Sequence, residues 1–545
     1  MKMKKIIIIF ISTIVWMGAF QSCNFLDETL PDSYSRDDFY KNDAEAAKAL
    51  YGTYAAVKDV VFGTDFVSVT DLMCDDMDFV GTDQARRQLN GLNFDTRNKY
   101  FVNVWAKLWV VVNNANLLID NVSKMDTLTQ TSKDNKKIII AEAKVLRAWS
   151  YLMLVQLWGD VPKITEPTYD VKGDIRPGRA PAADIYELII KDLTEAEGAM
   201  FDKPSFITIR PGTDIKYDLA LTRGAARLLM AKAYLAQKKY PECLKAVQYL
   251  IDRFADDGSK TYSLIDYANI FNVDHKNDKN RKQEVIWEIE SLAQSGYNNS
   301  ANRDFLPSAT FSSVATTGYQ NYMPSTSLFE AFSRQSQDKR FAANYRISTK
   351  GPFIFKRVDF NTTDQNMGAP VEVLLRSADA VLVYAEALNA TGNTEEAIVW
   401  INKIRDRAGL ISSRVVIPGM PPIITGNIKP GTSQQVVQDT IINERRMEFA
   451  HECQRLFDLR RTGKLMQALK AYNEKQNYYL NVKSINFGIQ AGMDGDGSPA
   501  TVKTLNVPFV PTLVKNLNDR ILLHPIPEDE IRSNSNLLPN NHGYN

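Results

Sequence analysis

Glu444, Glu448 and Glu452 fall four residues apart, so on a helix they share one face, and Arg445, Arg446, Arg455, Asp458, Arg460 and Arg461 crowd around them. Two carboxyl groups can cleave a glycosidic bond when they flank it about 5–9 Å apart. Neighbours on one helix point sideways together and flank nothing. A counter-charge near every acid also favours ionised pairs over the raised carboxyl pKa that a general acid needs. The stretch therefore predicts a structural ion network, with Glu452 reaching Arg455 and Arg455 reaching Asp458 at i+3. Histidine chemistry has little material. Four His serve 545 residues, His451 precedes Glu452 without an H-E-x-x-H frame, and His275, His524 and His542 stand apart. Asp494-Gly495-Asp496-Gly497 has the look of part of a calcium loop but lacks the later ligands. It reads better as a surface turn and leaves room only for a structural calcium ion. Asp75, Asp76 and Asp78 form a second acidic group that could take a cation or accept from sugar hydroxyls, with a solvated loop as the plainer reading. No catalytic residue, resident metal or cofactor is assigned.

Sugar recognition asks for another kind of surface. A pyranose ring has an apolar C–H face and an edge of hydroxyls. Flat aromatics in loops, interleaved with Asn, Asp, Arg or Gln, would hold it, each ring adding about 0.5–1.5 kcal/mol by analogy with aromatic pairs. Trp149, Trp158 and Trp400 lie on helical blocks and read as core, as do Trp105 and Trp109 at i, i+4 before VVVNNANLLI, while Trp287 in VIWEIE is open. Polar residues and tyrosines in two loop segments remain. Segment 76–100 offers Asp76, Asp78, Arg86, Asn90 and Tyr100; segment 291–322 offers Tyr297, Tyr319 and Tyr322. No motif secures any one of them, and surface packing competes for each.

The elements that must position these groups read mostly at the helical period. In 141–158, Val145, Ala148, Trp149, Leu152 and Val155 form one stripe, and Gly159 and Pro162 stop the helix. A second amphipathic helix over 184–200 pairs with it. Residues 222–252 and 379–409 each read as a helical hairpin, turning at Tyr240-Pro241 and Gly392-Asn393. Small residues at Ala231 and Ala385 resemble those of tetratricopeptide hairpins, which must stack to cover their apolar faces. The hairpins are degenerate and far apart, so no regular solenoid is expected. Short β-leaning runs at 285–289 and 353–358 predict a minor β content. Length alone allows three to four domains or one large repeat-built body.

The N-terminus is an address. Lys2, Lys4 and Lys5 precede an apolar run from Ile6 to Phe20, then Gln21, Ser22 and Cys23, a pattern of a secretory signal over 1–22. Cys23 directly after a small residue looks like a bacterial lipoprotein box, making it the acylated first residue of the mature chain, although Phe20 and Gln21 are unusual there. Losing three lysines with the signal turns the net charge of +1 into −2, so nothing pulls the protein towards nucleic acid. Cys74, Cys243 and Cys453 cannot all pair and show no metal spacing; Cys243 and Cys453, in helical stretches, read as buried thiols.

Five stretches together resemble the SusD/RagB family of surface nutrient-binding lipoproteins: CNFLDETLP at 23–31, AEAKVLRAWSYLMLVQLWGDVP at 141–162, RSADAVLVYAEALNATGNTEEAIVWINKIRDRAGL at 376–410, ERRMEFAHECQRLFDLRRTG at 444–463 and HPIPEDEIRSNSNLLPNNHGY at 524–544. The resemblance implies a mainly α fold, with tetratricopeptide-like hairpins on one side and an irregular ligand-binding side. It implies an N-terminal region over 23–250 and a C-terminal region over 251–545 that carries the long binding-face loops. It also implies a lipid anchor on Cys23 in the outer membrane, a surface-exposed body, and capture of an oligosaccharide for a SusC-like TonB-dependent transporter, without catalysis. In such proteins the stretch before the helix near Trp105 and the insert after Trp287 commonly build the binding face, which matches the two loop segments by location. The alternatives are a peptide or glycopeptide cargo on the same fold, a surface glycoside hydrolase, and a protein-binding tetratricopeptide adaptor.

Overall fold

The computed structural model describes residues 40–544 apart from 128, 169–175, 203–220, 276–277, 279, 291–297, 308–316, 334–336, 349–350, 363, 411–412, 416–422, 483, 488–504 and 509–514. Cys23, Tyr297 and the Asp494–Gly497 turn lie outside the described residues.

Helices build most of what is described. Helix α1 (Asp43–Val61), α2 (Lys99–Lys124) and α3 (Gln130–Trp158) pack on one another, and α4 (Ala182–Glu197) lies along α3. The reason is visible in α2: Phe101, Trp105, Leu108, Val112 and Ala115 line one buried stripe, and each large side chain taken from water adds about 1.5–3 kcal/mol. Trp105 meets Trp158 edge to face at 5.2 Å. Helix α3 begins at Gln130, about three turns before the expected 141, where Thr129 caps it through a bond from Ser132 N.

Two hairpins continue the row. Helix α5 (Arg223–Ala236), capped by Thr222, turns at Lys238 into α6 (Tyr240–Ile251), which carries Pro241 in its first turn. Two strands, β1 (Met77–Phe79) and β2 (Val285–Ile289), and then β3 (Tyr322–Pro324), helix α7 (Thr326–Ser333) and β4 (Glu372–Arg376) interrupt the helices. The second hairpin is α8 (Ser377–Ala390) and α9 (Thr394–Arg407), turning at Gly392 with φ of 89°. Helix α4 packs on α5, α6 on α8, and α8 on α10 (Gln434–Glu448), so the hairpins stack into one row. Ala231 and Ala385 are fully buried where the helices meet. Helices α11 (Arg455–Arg461) and α12 (Leu465–Val482) follow, and α12 packs against both α11 and α7.

The run 285–289 is strand β2, paired antiparallel with β4 through a bulge. The run 353–358 is strand only to Ile354 and then a single tight turn, Phe355–Arg357. Trp105, Trp149, Trp158 and Trp287 are all buried; Trp109 and Trp400 pack at the core edge.

The charge cluster is an ion network, but with other partners than the spacing gave. Helix α10 stops at Phe449, and His451 and Cys453 then take φ values of 61° and 58°. The break removes the i+3 geometry between Glu452 and Arg455, and it places Cys453 in a turn rather than a helix; Arg455 and Asp458 share α11 but take other partners. Glu452 pairs with Arg376 (2.9 Å) and Lys356 (3.0 Å), Arg455 with Asp75 (2.9 Å), and Asp458 with Arg445 (2.8 Å) and Arg461 (2.6 Å). Glu448, fully buried, faces Arg340, Arg376 and Arg407 at once. Burial alone would raise its carboxyl pKa, but the three guanidiniums hold it well below the usual range.

Candidate functional site

Strands β1 and β3 bring the two loop segments to one place. Their antiparallel register sets Phe79 opposite Tyr322, and Val80 N donates to Asn321 O at 2.8 Å. A Cβ at position 81 would sit 2.6 Å from Asn321 Oδ1 and from the Phe79 ring, so any other residue here would push these two side chains from their places. The short helix Gln84–Asn90 follows, capped by Asp83, whose carboxylate accepts from Arg86 N at 2.9 Å.

Arg86 is the centre of this region. Its guanidinium lies 4.9 Å from the Tyr100 ring and 5.7 Å from each of Phe79 and Tyr322. Nη2 donates to Thr64 Oγ1, while Nε is buried without a hydrogen-bond partner. Burial works against its charge, yet Tyr322, Tyr100, Asp304 and Asp83 hold the proton more tightly than usual. A desolvated cation over rings is worth about 2 kcal/mol, so Arg86 fixes three aromatics from three separate segments.

A polar rim borders it. Lys99, Asn103 and Lys107 project from the first turns of α2 at four-residue steps. Lys99 Nζ and Tyr100 OH both donate to Asp83, at 2.7 and 3.1 Å, and Asn103 Nδ2 and Lys107 Nζ donate to Asp65 at 3.2 and 2.8 Å. These five polar groups were missed in the sequence. The 99-103-107 step was the available signal, since it lies opposite the Phe101–Trp105–Leu108 stripe.

Tyr319 is the aromatic that meets solvent, 47% exposed. Its backbone is nevertheless pinned. Tyr319 N donates to Arg303 O at 2.7 Å, Gly318 N to Pro307 O at 2.8 Å, and Asn321 N to Asp304 O at 2.7 Å. The Arg303 guanidinium stands 5.8 Å from the Tyr319 ring centre and donates to Asn366 Oδ1 at 3.1 Å. A preset aromatic beside a planar donor and amides can cover a sugar's C–H face and pair its hydroxyl edge without first ordering a loop.

Five of the eight residues put forward by the sequence turn inward. Tyr322 is fully buried, with its hydroxyl 2.7 Å from Ser68 Oγ and its ring stacked on Phe305. Tyr100 is buried against Arg86 and Asp83. Asp78 is buried and accepts from the Tyr472 hydroxyl, and Asp76 is buried on Arg446 at 2.6 Å. Asn90 is buried at the end of its helix. Strand β1 and the residues before it carried the two acids into the interior, where each found a donor. They position the face rather than present it. Arg86 is half-buried, and Tyr319 is the candidate that the structure leaves open to solvent.

The acidic group is not a solvated loop either. Cys74, Asp75 and Asp76 bring ligand atoms within 4.8 Å of one another. Arg455 and Arg446 already bracket Asp75, at 2.9 and 3.1 Å, so a cation there would compete with two guanidiniums. Burial would raise the Asp75 carboxyl pKa, but these arginines hold it well below the usual range. Among the described residues no helix is long and apolar enough to cross a membrane.

Two family models match the chain: "SusD family" over residues 336–544 and "Starch-binding associating with outer membrane" over 24–220. The SusD-like protein P2 of Formosa agariphila is 24% identical, over 98% of this chain and 99% of its own length. A SusD homologue from Bacteroides thetaiotaomicron has a similar fold, with a TM-score of 0.72 at 19% identity, covering 93% of this chain and 98% of that one. A laminarin-binding SusD-like protein superposes with a TM-score of 0.68 at 21% identity, covering 93% of this chain and all of that one.

Proposed function

The chain belongs to the SusD-like family, and from that premise we propose that it is a cell-surface glycan-binding lipoprotein. In this reading it captures an oligosaccharide and hands it to a SusC-like TonB-dependent transporter, breaking no bond. The observation that carries the proposal is Tyr319: a solvent-facing ring held by backbone bonds, beside Arg303 and the Asn366 amide that it binds. A laminarin-binding neighbour and a starch-binding family model support sugar as the ligand class.

Such a face binds by exchange. Each sugar hydroxyl gives up a water and gains a protein partner at little net gain, so affinity is modest and rests on the stacked ring. The carboxylates of the 444–452 stretch serve the scaffold: Glu444, Glu448 and Glu452 are each buried on arginine or lysine. In the same reading, acylation of Cys23 supplies the tether, since several acyl chains on one residue hold a folded body at a membrane. The family match that starts at residue 24 is compatible with a mature chain beginning at Cys23.

A glycan array probed with the full-length protein tests the ligand class. Binding to one group of related glycans is the expected result; binding only to peptides contradicts it. Co-purification of an outer-membrane barrel with the tagged protein tests the transporter.

A further inference from the structure

The groove of about 840 Å³ between α10 and α12 is charged but matched: Arg455 faces Asp75, Arg446 faces Asp76, Lys464 faces Asp439, and Lys475 faces Glu330. The charges beside Tyr319 are arranged otherwise. Arg303 and Asp364 are both exposed, and among the described residues neither reaches an opposite charge directly. They meet across an amide instead. Arg303 Nη1 donates to Asn366 Oδ1 at 3.1 Å, and Asn366 donates from N and Nδ2 to Asp364 Oδ1 at 2.9 and 3.2 Å. Asn366 thus holds a cation and an anion one side chain apart and keeps them from closing on each other. Arg303 spends Nη1 and Asp364 spends Oδ1, which leaves Nη2 and Oδ2 for a ligand.

The loop that carries Asp364 and Asn366 is set before anything binds. Asp359, buried, accepts from Asn361 N at 2.9 Å and from Ala369 N at 2.8 Å, so one carboxylate ties both ends of the loop. Asn302, next to Arg303, grips the same residue: its Nδ2 donates to Asp359 O at 3.2 Å, and its Oδ1 accepts from Asp359 N at 2.8 Å. Gly368 lies so close that a Cβ there would overlap Asn302. Within the loop, Thr362 Oγ1 and Met367 N both donate to Asp364 O, at 2.7 and 2.9 Å. Tyr319 N is bonded to Arg303 O, and the Tyr319 ring stands by the Arg303 guanidinium. Ring, guanidinium, amide and carboxylate therefore form one connected row.

We propose that Arg303 and Asp364 are specificity-determining residues of the Tyr319 face, and that together they select a neutral sugar unit with two free neighbouring hydroxyls. The inference deepens the glycan-binding reading and rests on it. A hydroxyl both donates and accepts. One of the two gives its proton to Asp364, the oxygen of the other takes an N–H from Arg303, and the C–H face of the ring lies on Tyr319. Both bonds are charge-assisted and so stronger than neutral ones. A carboxylate on the sugar only accepts: it suits Arg303 but brings a like charge towards Asp364. Asn366 is a positioning residue, because it sets the spacing of the two charges.

Titration calorimetry of the full-length protein tests it with laminarihexaose, cellohexaose, maltohexaose and mannohexaose, each beside its form oxidised to the uronate at C6. At least one neutral hexasaccharide should bind, about threefold or more tightly than its uronate, and added salt should narrow that preference. Asp364→Asn keeps the shape and removes the anion. It should weaken the neutral form about threefold and shift the preference towards the uronate. Arg303→Gln should also weaken the neutral form about threefold, but shift the preference the opposite way. Both sites are exposed, so the melting midpoint should stay where it was in each variant. A parent that prefers the uronate, a preference that moves the same way in both variants or in neither, or no binding of any probe overturns the proposal. Glycan binding on the array beside any of these failures leaves the glycan-binding reading standing, whereas a silent array removes both.

Discussion

Arg86 and Arg446 stand at opposite ends of the same three-residue strand, and their surroundings differ in kind. Arg86 lies among the rings of Phe79, Tyr100 and Tyr322, with one side-chain nitrogen on Thr64. Arg446 lies among carboxylates, on Asp76 and Asp75, with Arg455 beside it. At the first end aromatic area does the holding, and the charge organises it. At the second the charges hold each other, and a large groove stays open above them. One strand thus connects an end built on rings with an end built on matched charges. Behind both lies a third arrangement, the lattice around Glu448, where every charge faces inward and nothing is left for a ligand.

The comparison is broken most severely in that lattice. Glu448→Gln leaves Arg340, Arg376 and Arg407 facing one another in the interior, and should cost about 3–5 kcal/mol, read as a large fall in the melting midpoint. An unchanged midpoint would mean that the lattice is not scaffold. Next comes Asp71, behind the charged end. Burial first, and then Asp76, push its carboxyl from 3.8 up to about 7. A folded-state pKa above the unfolded value means that the native form holds the extra proton, so this group's contribution falls as pH rises from about 4 to 7. Asp71→Asn keeps an acceptor for Cys453 N and loses the titration. It should be more stable than the parent by about 2–3 kcal/mol at pH 7.5 and no more stable at pH 4. A gap that does not vary with pH contradicts this.

Arg86→Ala sharpens the ring end. It should cost about 1–2 kcal/mol of stability through lost cation–ring contact, seen in denaturant unfolding, and should weaken glycan binding through the loosened face. Tyr319→Ala is the mildest change. Stability should move by less than about 0.5 kcal/mol, as for an exposed site, while neutral-glycan affinity drops by about 0.5–1.5 kcal/mol.

The helical hairpins were legible because periodicity reports burial directly. Val145, Trp149 and Leu152 form the i, i+4, i+7 pattern of a helix, and Gly392 marks its own turn; the pattern did not show that α3 is buried on nearly every side there, with Glu142 accepting from Tyr54 and Arg147 paired with Asp192. The loop candidates were not legible in that way. Asp76, Asp78 and Tyr322 sit in segments without helical period, and their pairing depends on two strands 243 residues apart in register. Nothing local to Asp78 says that a tyrosine from α12 will bind it. The Glu452–Arg455 pair failed for a related reason: the spacing assumes an unbroken helix through His451 and Cys453, and both residues take left-handed backbone. Arg455 and Asp458 do share a helix, but the distant Asp75 takes Arg455. Lys99, Asn103 and Lys107 were readable and were passed over, since the search for sugar contacts favoured rings over the polar stripe of the same helix.

Calorimetric titration with the best neutral glycan from an array, followed by mass analysis of the recovered ligand, tests the central claim most directly when parent and Tyr319→Ala are compared. The account predicts saturable binding, intact ligand, and an affinity about two- to tenfold weaker in the variant. Shortened glycan in the recovered ligand, or equal affinity in the two proteins, would contradict it.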